Sequence, residues 1–378
     1  MTPIPPASIC ATGYMARALR LAEKGLYTTD PNPRVGCLIV KDERIIGEGW
    51  HLRAGEPHAE IHALRQAGGL ARGSEVFVTL EPCAHFGRTP PCADALIAAG
   101  VRRVSVAALD PNPLVAGKGM ERMRQAGIEV ACGLLEREAE ALNVGFFHRM
   151  RTGRPWVRVK TAASLDGRVA LANGESRWIT SEAARQDVQR LRARSSAILT
   201  GVNTVLADDP EFSVRGDAIS MASAGLIRQP LRIVLDSQLR LTPELKIFAS
   251  SASRPLIVTT RQAATARPAE LQMLAERAEV LIMPGAIDLY ALLKMLGERG
   301  CNELLVEAGG KVAGAFLAQS LCEEYWLYIA TRLLGDAAIP MAVLPQFTSL
   351  AAVPQFSLKD SRQIGEDLRL VLVPKRSC

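Results

Sequence analysis

"PHAEIHAL", residues 57–64, decides how the first part of this chain is read. His58, Ile61, His62 and Arg65 are spaced by three and four, the period of one helix face. Before it, "VGCLIVKDERIIGEGW" (35–50) holds two β-prone runs around a polar turn at Asp42 and Glu43. After it come the strand "SEVFVTLEPC", the helical "CADALIAAG", the strand "VRRVSVAAL", the helical "GMERMRQAG" and the strand "IEVACG". "EREAEALNVGFFHRM" (136–150) reads as a closing helix, and "YMARALRLAEKG" (14–25) as an opening one with a glycine stop. Strands alternating with helices of this length predict a layered α/β domain with both sheet faces covered.

The alternation restarts after "RTGRP" (151–155), so the chain is expected to divide into domains 1–150 and 151–378. In the second, "WVRVKTAASLDG" is strand-like and "SEAARQDVQRLRARS" helical with a serine start. "SAILTGVNTVLADDP" reads as strand then turn, and "RQAATARPAE" (261–270) as a loop. "GDAISMASAGLIR" (216–228) is an Ala/Ser-rich surface excursion. "EAGGKVAG" (307–314) is glycine-rich, but it lacks the GxGxxG spacing of a dinucleotide fingerprint.

With 48% hydrophobic and 22% charged residues in 378, the composition is that of a globular protein with ample core. The eight cysteines are irregularly spaced, which argues against a disulfide framework. No run of transmembrane length and no secretory signal is apparent, so a cytoplasmic protein without a membrane partner is expected. The net charge of +6 is mild, and scattered arginines suit a phosphorylated small molecule as well as nucleic acid. A nucleic-acid deaminase would need a basic, aromatic-lined channel, whereas 5% of residues are aromatic and no basic stripe is evident.

All five histidines precede residue 150, which places any histidine chemistry in the first domain. His58 together with Cys83 and Cys92 of "CAHFGRTPPC" makes a three-ligand zinc set. Catalytic zinc sites have this form, the fourth position being left for water, whereas a structural module would need a fourth protein ligand. Glu60, two residues from His58, is placed to act beside the metal without ligating it. The chemistry this predicts is hydrolytic attack on an amidine-like ring carbon, with Glu60 carrying the proton to departing ammonia. His62, one turn from His58, is a competing ligand that such a site does not need, and His85 lies in the loop between the cysteines, where it either faces substrate or does not. Asn32, between two prolines, sits in a restricted non-helical segment, either as a pyrimidine contact or as a plain turn residue.

Eight residues separate the two cysteines, where the general nucleotide-deaminase signature has two. With "TTDPNPRVGCLIVKD", "GEPHAEIHAL", "DPNPLVAGKG" and "SLDGRVA", this spacing resembles the RibD family of bifunctional riboflavin-biosynthesis enzymes, from about Tyr14 to Leu368. Ala84 stands where the family commonly has serine, and Thr331 where it usually has proline. The resemblance implies a cytidine-deaminase-like three-layer α/β domain followed by a dihydrofolate-reductase-like α/β domain. It implies zinc-dependent deamination of a ribosylamino-pyrimidinone phosphate, then NADPH-dependent reduction of the ribosyl to a ribityl group. The partners implied are small phosphorylated pyrimidines, with room for a homo-oligomer.

Carried over residue by residue, the resemblance implies zinc on His58, Cys83 and Cys92, Glu60 as proton shuttle, and Asn32 in the deaminase pocket. In the second domain it implies cofactor contacts at Ala162, Trp178, Thr204, Asp208 and Ser237. A loop of Gly309, Gly310, Lys311, Val312, Ala313, Gly314 and Ala315 would wrap the cofactor phosphates, where small residues let phosphate approach backbone N–H groups. Substrate contacts are implied at Ser176, Arg192, Phe212, Arg215 and Glu307, with Arg192 on the phosphate. From the residues alone, Trp178 could equally be core and Arg192 part of a solvated basic face with Arg190 and Arg194. Asp166 and Glu307 are both candidates for protonating the opening sugar.

Overall fold

The computed structural model describes residues 10–84, 91–113, 115–215, 227–249 and 253–375. His85 and residues 216–226 of the excursion lie outside the described residues. The chain forms two compact units, Met1–Thr152 and Gly153–Cys378. Among the described residues no helix is long and apolar enough to cross a membrane.

The first unit runs α1 (Ala11–Glu23), β1 (Gly36–Lys41), β2 (Arg44–Trp50), α2 (Ala59–Ala67), β3 (Glu75–Leu80), α3 (Cys92–Ala99), β4 (Arg103–Ala108), α4 (Lys118–Gln125), β5 (Glu129–Cys132), α5 (Glu136–Leu142) and α6 (Val144–Thr152). Its strands form one sheet in the order β2–β1–β3–β4–β5. Strand β1 is antiparallel to β2 and β3, while β3, β4 and β5 are parallel. Successive strand residues face opposite layers. Cys37, Ile39, Val76, Val78, Val104 and Val106 pack with residues of α2, α3 and α4, whereas Leu38, Phe77 and Ala107 pack with α1, α5 and α6. Helix α2 lies directly on β2, because a Cβ on Gly49 would come within 2.1 Å of the Ala59 carbonyl oxygen. That glycine fixes where His58 and Glu60 begin their helix.

The helix predicted over 136–150 is in fact two, broken at Asn143. Its side-chain oxygen accepts the Arg34 N–H at 2.7 Å, and its amide donates to the Arg34 carbonyl at 2.9 Å. Both Arg34 main-chain groups precede β1 and find their partners in this one side chain, as buried backbone requires.

The second unit runs β6 (Trp156–Ser164), β7 (Arg168–Ala170), α7 (Glu182–Arg194), β8 (Ala197–Gly201), α8 (Val202–Asp208), β9 (Leu231–Leu235), β10 (Leu256–Thr260), α9 (Arg261–Ala266), α10 (Pro268–Arg277), β11 (Glu279–Met283), α11 (Leu289–Glu298), β12 (Glu303–Glu307), α12 (Gly310–Ala318), β13 (Glu324–Ala330), β14 (Ile339–Pro340), β15 (Phe356–Ile364) and β16 (Asp367–Pro374). Nine strands form one sheet, β11–β10–β9–β8–β12–β6–β13–β16–β15, and β7 pairs with β14 apart from it. The first seven are parallel; β16 and β15 close the edge as an antiparallel hairpin. Parallel strands are apolar on both faces. Ile198, Val234, Ile257 and Leu305 pack with Leu191 of α7 and Leu274 of α10, while Leu199, Ile233, Val258 and Leu304 pack with Leu292 and Leu296 of α11 and Phe316 of α12. Buried Arg158 of β6 donates to Glu324 at 2.7 Å and to Glu303, and Lys359 reaches Glu324 at 2.6 Å.

Three stretches read as turn or loop are helical. Residues 202–208 form α8, and 261–266 and 268–277 form α9 and α10. Thr260 caps α9 by accepting the Ala263 N–H at 3.1 Å, and Pro268 occupies the first turn of α10, where its missing N–H costs nothing. Residues 310–318 form α12.

Candidate active sites

In the first unit, His58 is the N-cap of α2, Cys92 the first residue of α3, and Cys83 follows the end of β3. His58 Nδ1 lies 3.2 Å from Cys92 Sγ and 3.7 Å from Cys83 Sγ, and all three donor atoms fall within 4.8 Å of one another. A tetrahedral zinc with Zn–S of about 2.3 Å and Zn–N of about 2.0 Å implies N···S edges of about 3.5 Å. The observed edges bracket that value, so the residues fit a zinc ion. The hydrogen bond between the two thiols lowers the Cys83 pKa, and the same bond, with burial, raises that of Cys92. A thiolate beside two helix N-termini is a ready ligand for a borderline-soft cation.

Glu60, 3% exposed, sits in the first turn of α2. Burial raises its pKa, and its carboxyl is within hydrogen-bonding reach of Cys92. It is therefore a carboxyl poised to hold and release a proton next to the cluster. His62, the competing ligand, stands outside the cluster.

Asn32 is drawn to the same region through a residue given no role in the sequence reading. Its side-chain amide nitrogen is 3.0 Å from His51 Nε2, and His51 Nδ1 is 3.2 Å from the Pro57 carbonyl oxygen. The carbonyl can only accept, so His51 carries its proton on Nδ1 and accepts from Asn32 on Nε2. The His51 and His58 rings meet edge to face, 5.3 Å apart. A histidine beside a tryptophan at a strand end carries no motif of its own, so sequence alone gives His51 no role.

In the second unit the candidate residues gather at the carboxyl ends of the parallel strands, where open α/β sheets bind ligands. Ala162 lies near the end of β6, Thr204 and Asp208 follow β8, Ser237 follows β9, and Gly309 follows β12. Thr204 Oγ1 accepts the Gly309 N–H at 3.2 Å, and the Ser176 hydroxyl donates to Asp208 at 3.2 Å. Trp178 is 61% exposed, with the Arg185 guanidinium 4.4 Å from its ring centre, so it is no core residue. Arg215 is exposed, while Phe212 is buried beneath the Arg192 guanidinium.

Gly309–Ala315 needs correction, because it is not a wrapping loop. Gly310 to Ala315 open α12; the Val312 and Ala313 N–H groups bond Gly309, and Ala313 and Gly314 are buried. Gly310 and Gly314 are small for another reason. A Cβ on them would meet the Pro340 carbonyl oxygen at 2.3 Å and the Val343 carbonyl oxygen at 2.0 Å. Gly309 alone has an open face, its Cβ position meeting only Thr204 Oγ1 at 3.8 Å. What remains for phosphate is the N-terminus of a nine-residue helix, a fitting anion site.

Arg192 is not part of a solvated basic face. Its Nε and Nη2 donate to the two oxygens of Glu307 at 2.7 and 2.9 Å. Burial works against the Glu307 charge, but Arg192 outweighs it and holds the carboxyl below its usual range. Lys160, also missed in the sequence, pairs in register with Glu307 and brings Nζ to 4.0 Å of it. Burial lowers the Lys160 pKa, with Glu307 opposing. Asp166 is engaged elsewhere: it accepts from Ser164, Leu334 and Gly335, and these bonds, Ser164 foremost, lower it to about 2.

Comparison with known proteins completes the picture. Residues 9–108 match the cytidine and deoxycytidylate deaminase zinc-binding region, and residues 155–370 match the RibD C-terminal domain. The riboflavin biosynthesis protein RibD of Escherichia coli is 51% identical over 95% of this chain and 98% of its own length. The chain belongs to the RibD family. The RibD protein of Haemophilus influenzae is 47% identical over 96% of this chain and 97% of its own. Among solved structures, Acinetobacter baumannii RibD superposes with a TM-score of 0.89 at 45% identity, covering 97% of this chain and 99% of that one. A Thermotoga maritima deaminase/reductase of the RibD type gives 0.82 at 33% identity, covering 96% and 98%. The two units are thus a cytidine-deaminase-like zinc domain and a dihydrofolate-reductase-like RibD reductase domain, and the chain is a bifunctional deaminase and reductase.

Proposed function

We propose that this RibD-family chain carries out two successive steps on riboflavin-pathway intermediates. The first is hydrolytic deamination of 2,5-diamino-6-ribosylamino-4(3H)-pyrimidinone 5′-phosphate. The second is NADPH-dependent reduction of 5-amino-6-(5-phosphoribosylamino)uracil, a substrate that the Thermotoga maritima relative names. The observation that carries the reading is buried Glu60 beside the His58, Cys83 and Cys92 donors. Zinc on those donors would supply the Lewis acidity that makes water a nucleophile near neutral pH. Glu60 takes the proton of the attacking water and hands it to the leaving amine. Asn32, its amide held by His51, presents its remaining polar groups to the pyrimidine edge.

In the second unit NADPH would supply the hydride, and the protein orients it. Gly309 and the α12 N-terminus are proposed to hold cofactor phosphate, with Thr204, Asp208, Trp178, Ala162 and Ser237 around the cofactor. Ser176, Arg192, Phe212, Arg215 and Glu307 are assigned to the substrate side. Of the groups near it, Lys160 is the proton donor we favour for sugar opening. Asp166 is fully engaged by its hydrogen bonds and Glu307 is held below its usual range by Arg192, whereas burial lowers the Lys160 pKa and so makes its proton easier to give. The chain is read as a cytoplasmic enzyme of small phosphorylated pyrimidines, without nucleic-acid or membrane partners. The test supplies the diamino-pyrimidinone phosphate with and without NADPH, following ammonia and NADPH separately. Ammonia release in both arms with NADPH oxidation in one is expected; oxidation without prior ammonia release would overturn the order.

A further inference from the structure

Glu81, two residues before Cys83, is buried, and the chemistry above makes no use of it. Its carboxylate collects four main-chain N–H groups from a single distant segment. Oε2 accepts from Asp110 at 3.4 Å and Gly117 at 2.9 Å; Oε1 accepts from Gly119 at 3.0 Å and Met120 at 3.3 Å. The same segment touches the turn that carries the ligand, since a Cβ on Gly119 would lie 1.9 Å from the Pro82 carbonyl oxygen. Gly117 and Lys118 of the segment line an open cleft with Ala84, the residue after Cys83. Arg122 reinforces that wall by donating to the Ala84 carbonyl at 3.2 Å.

We infer that Glu81 is a positioning residue of the deaminase site, fastening Asp110 and residues 117–120 to the Pro82–Cys83 stretch so that ligand and cleft wall are held as one piece. This rests on the deaminase reading of the first unit. The two carboxyl oxygens suit the task because all four contacts are N–H donors and the oxygens have lone pairs for each. A glutamine would turn an NH₂ toward two of those N–H groups. Alanine at Gly119 would push the segment off Pro82 while leaving the Glu81 side chain itself unchanged, so the two changes perturb the same joint from opposite sides. Groups that orient a metal ligand from outside typically change metal affinity or activity by about 10–100-fold.

The experiment compares full-length wild type with Glu81→Gln and, separately, Gly119→Ala. Three quantities are measured well below the melting temperature: zinc transfer to a chelator, kcat and KM for ammonia release per zinc-loaded site, and NADPH oxidation with the deaminated substrate as a check on the chain. Both variants are expected to give up zinc about 10–100-fold faster and to show a raised KM with a lowered kcat, while NADPH oxidation is unchanged. A merely structural Glu81 predicts a lower melting temperature, with wild-type zinc transfer and wild-type KM in the folded fraction. That result in either variant overturns the proposal. If Glu81→Gln does not fold, Gly119→Ala alone decides. A wild type that releases no ammonia would overturn the deaminase reading itself.

Discussion

The two sites are built on opposite plans. In the first unit every reactive group lies between His58 and Cys92, brought together by one strand end and two helix starts. In the second unit Lys160, Arg192 and Glu307 come from β6, α7 and β12, and meet only because the parallel sheet places β6 beside β12. A metal site imposes residue types and spacing on a short stretch of chain, because few side chains can be ligands. A site at the end of a parallel sheet imposes position on strands that are far apart in sequence. The first kind therefore fails abruptly when one side chain changes; the second fails by degrees, through the partners left behind.

The sharpest break is Cys83→Ala. Metal analysis should find zinc lost and ammonia release abolished, while NADPH oxidation with the deaminated substrate persists; retained zinc would return the ligand set to question. Glu60→Gln comes next. All three donors remain, so zinc content should hold while ammonia release falls by about 10²–10⁴-fold, the usual worth of a positioned acid–base group. Zinc falling to background would instead make Glu60 a ligand.

Arg192→Ala should act on the other site in a different manner. It leaves the Glu307 carboxylate with Lys160 alone, 4.0 Å away, so the cost should fall below the roughly 3–5 kcal/mol of a buried pair broken outright. The expected signature is a lower melting temperature of the second unit together with a lower reductase kcat/KM, ammonia release being spared. Arg192→Lys restores the charge but not the fork, so partial recovery is expected. Kinetics and melting that match wild type would remove Arg192 from the site.

The smallest effect is an acid titration. Burial opposes the Glu324 charge, but Arg158 and Lys359 lower the carboxyl to about 2. A depressed carboxylate stabilises the fold above its unfolded pKa and loses that contribution as pH falls. Melting of the second unit should therefore weaken from about pH 4.5 downward by roughly 3 kcal/mol in all, and Glu324→Gln should flatten that slope. A slope that is unchanged in the variant would place the acid sensitivity on other groups.

The contrast also explains what was legible in the sequence. His58, Glu60, Cys83 and Cys92 stood out because their chemistry is written in residue type and spacing. The layered α/β alternation was readable for the same reason, through its apolar periods. His51 and Lys160 were invisible, since a lone histidine or lysine acquires meaning only from the Asn32 amide or the Glu307 carboxylate that the fold brings to it. The glycines at 310 and 314 are ambiguous in sequence because phosphate approach and backbone packing both select for a missing Cβ. Only the Pro340 and Val343 carbonyls distinguish the two. Helices α8 and α9, of seven and six residues, are too short to show a helical apolar period, and the breakers that read as turn and loop, Pro210 and Pro268, lie just beyond them.

The place of β6 in the second sheet has a consequence for synthesis. It is the first strand of its unit to leave the ribosome, yet it is flanked in the finished sheet by β12 and β13. Arg158 must wait 145 residues for Glu303 and 166 for Glu324, whereas β1 finds β3 about 40 residues later, as Cys37 opposite Val78. The deaminase unit can thus complete its sheet once β5 has emerged, while the reductase unit keeps β6 with two open edges until β12 is made. Strands left open in this way are where nascent chains aggregate, so chaperone demand and misfolding should concentrate in the second half of the nascent chain.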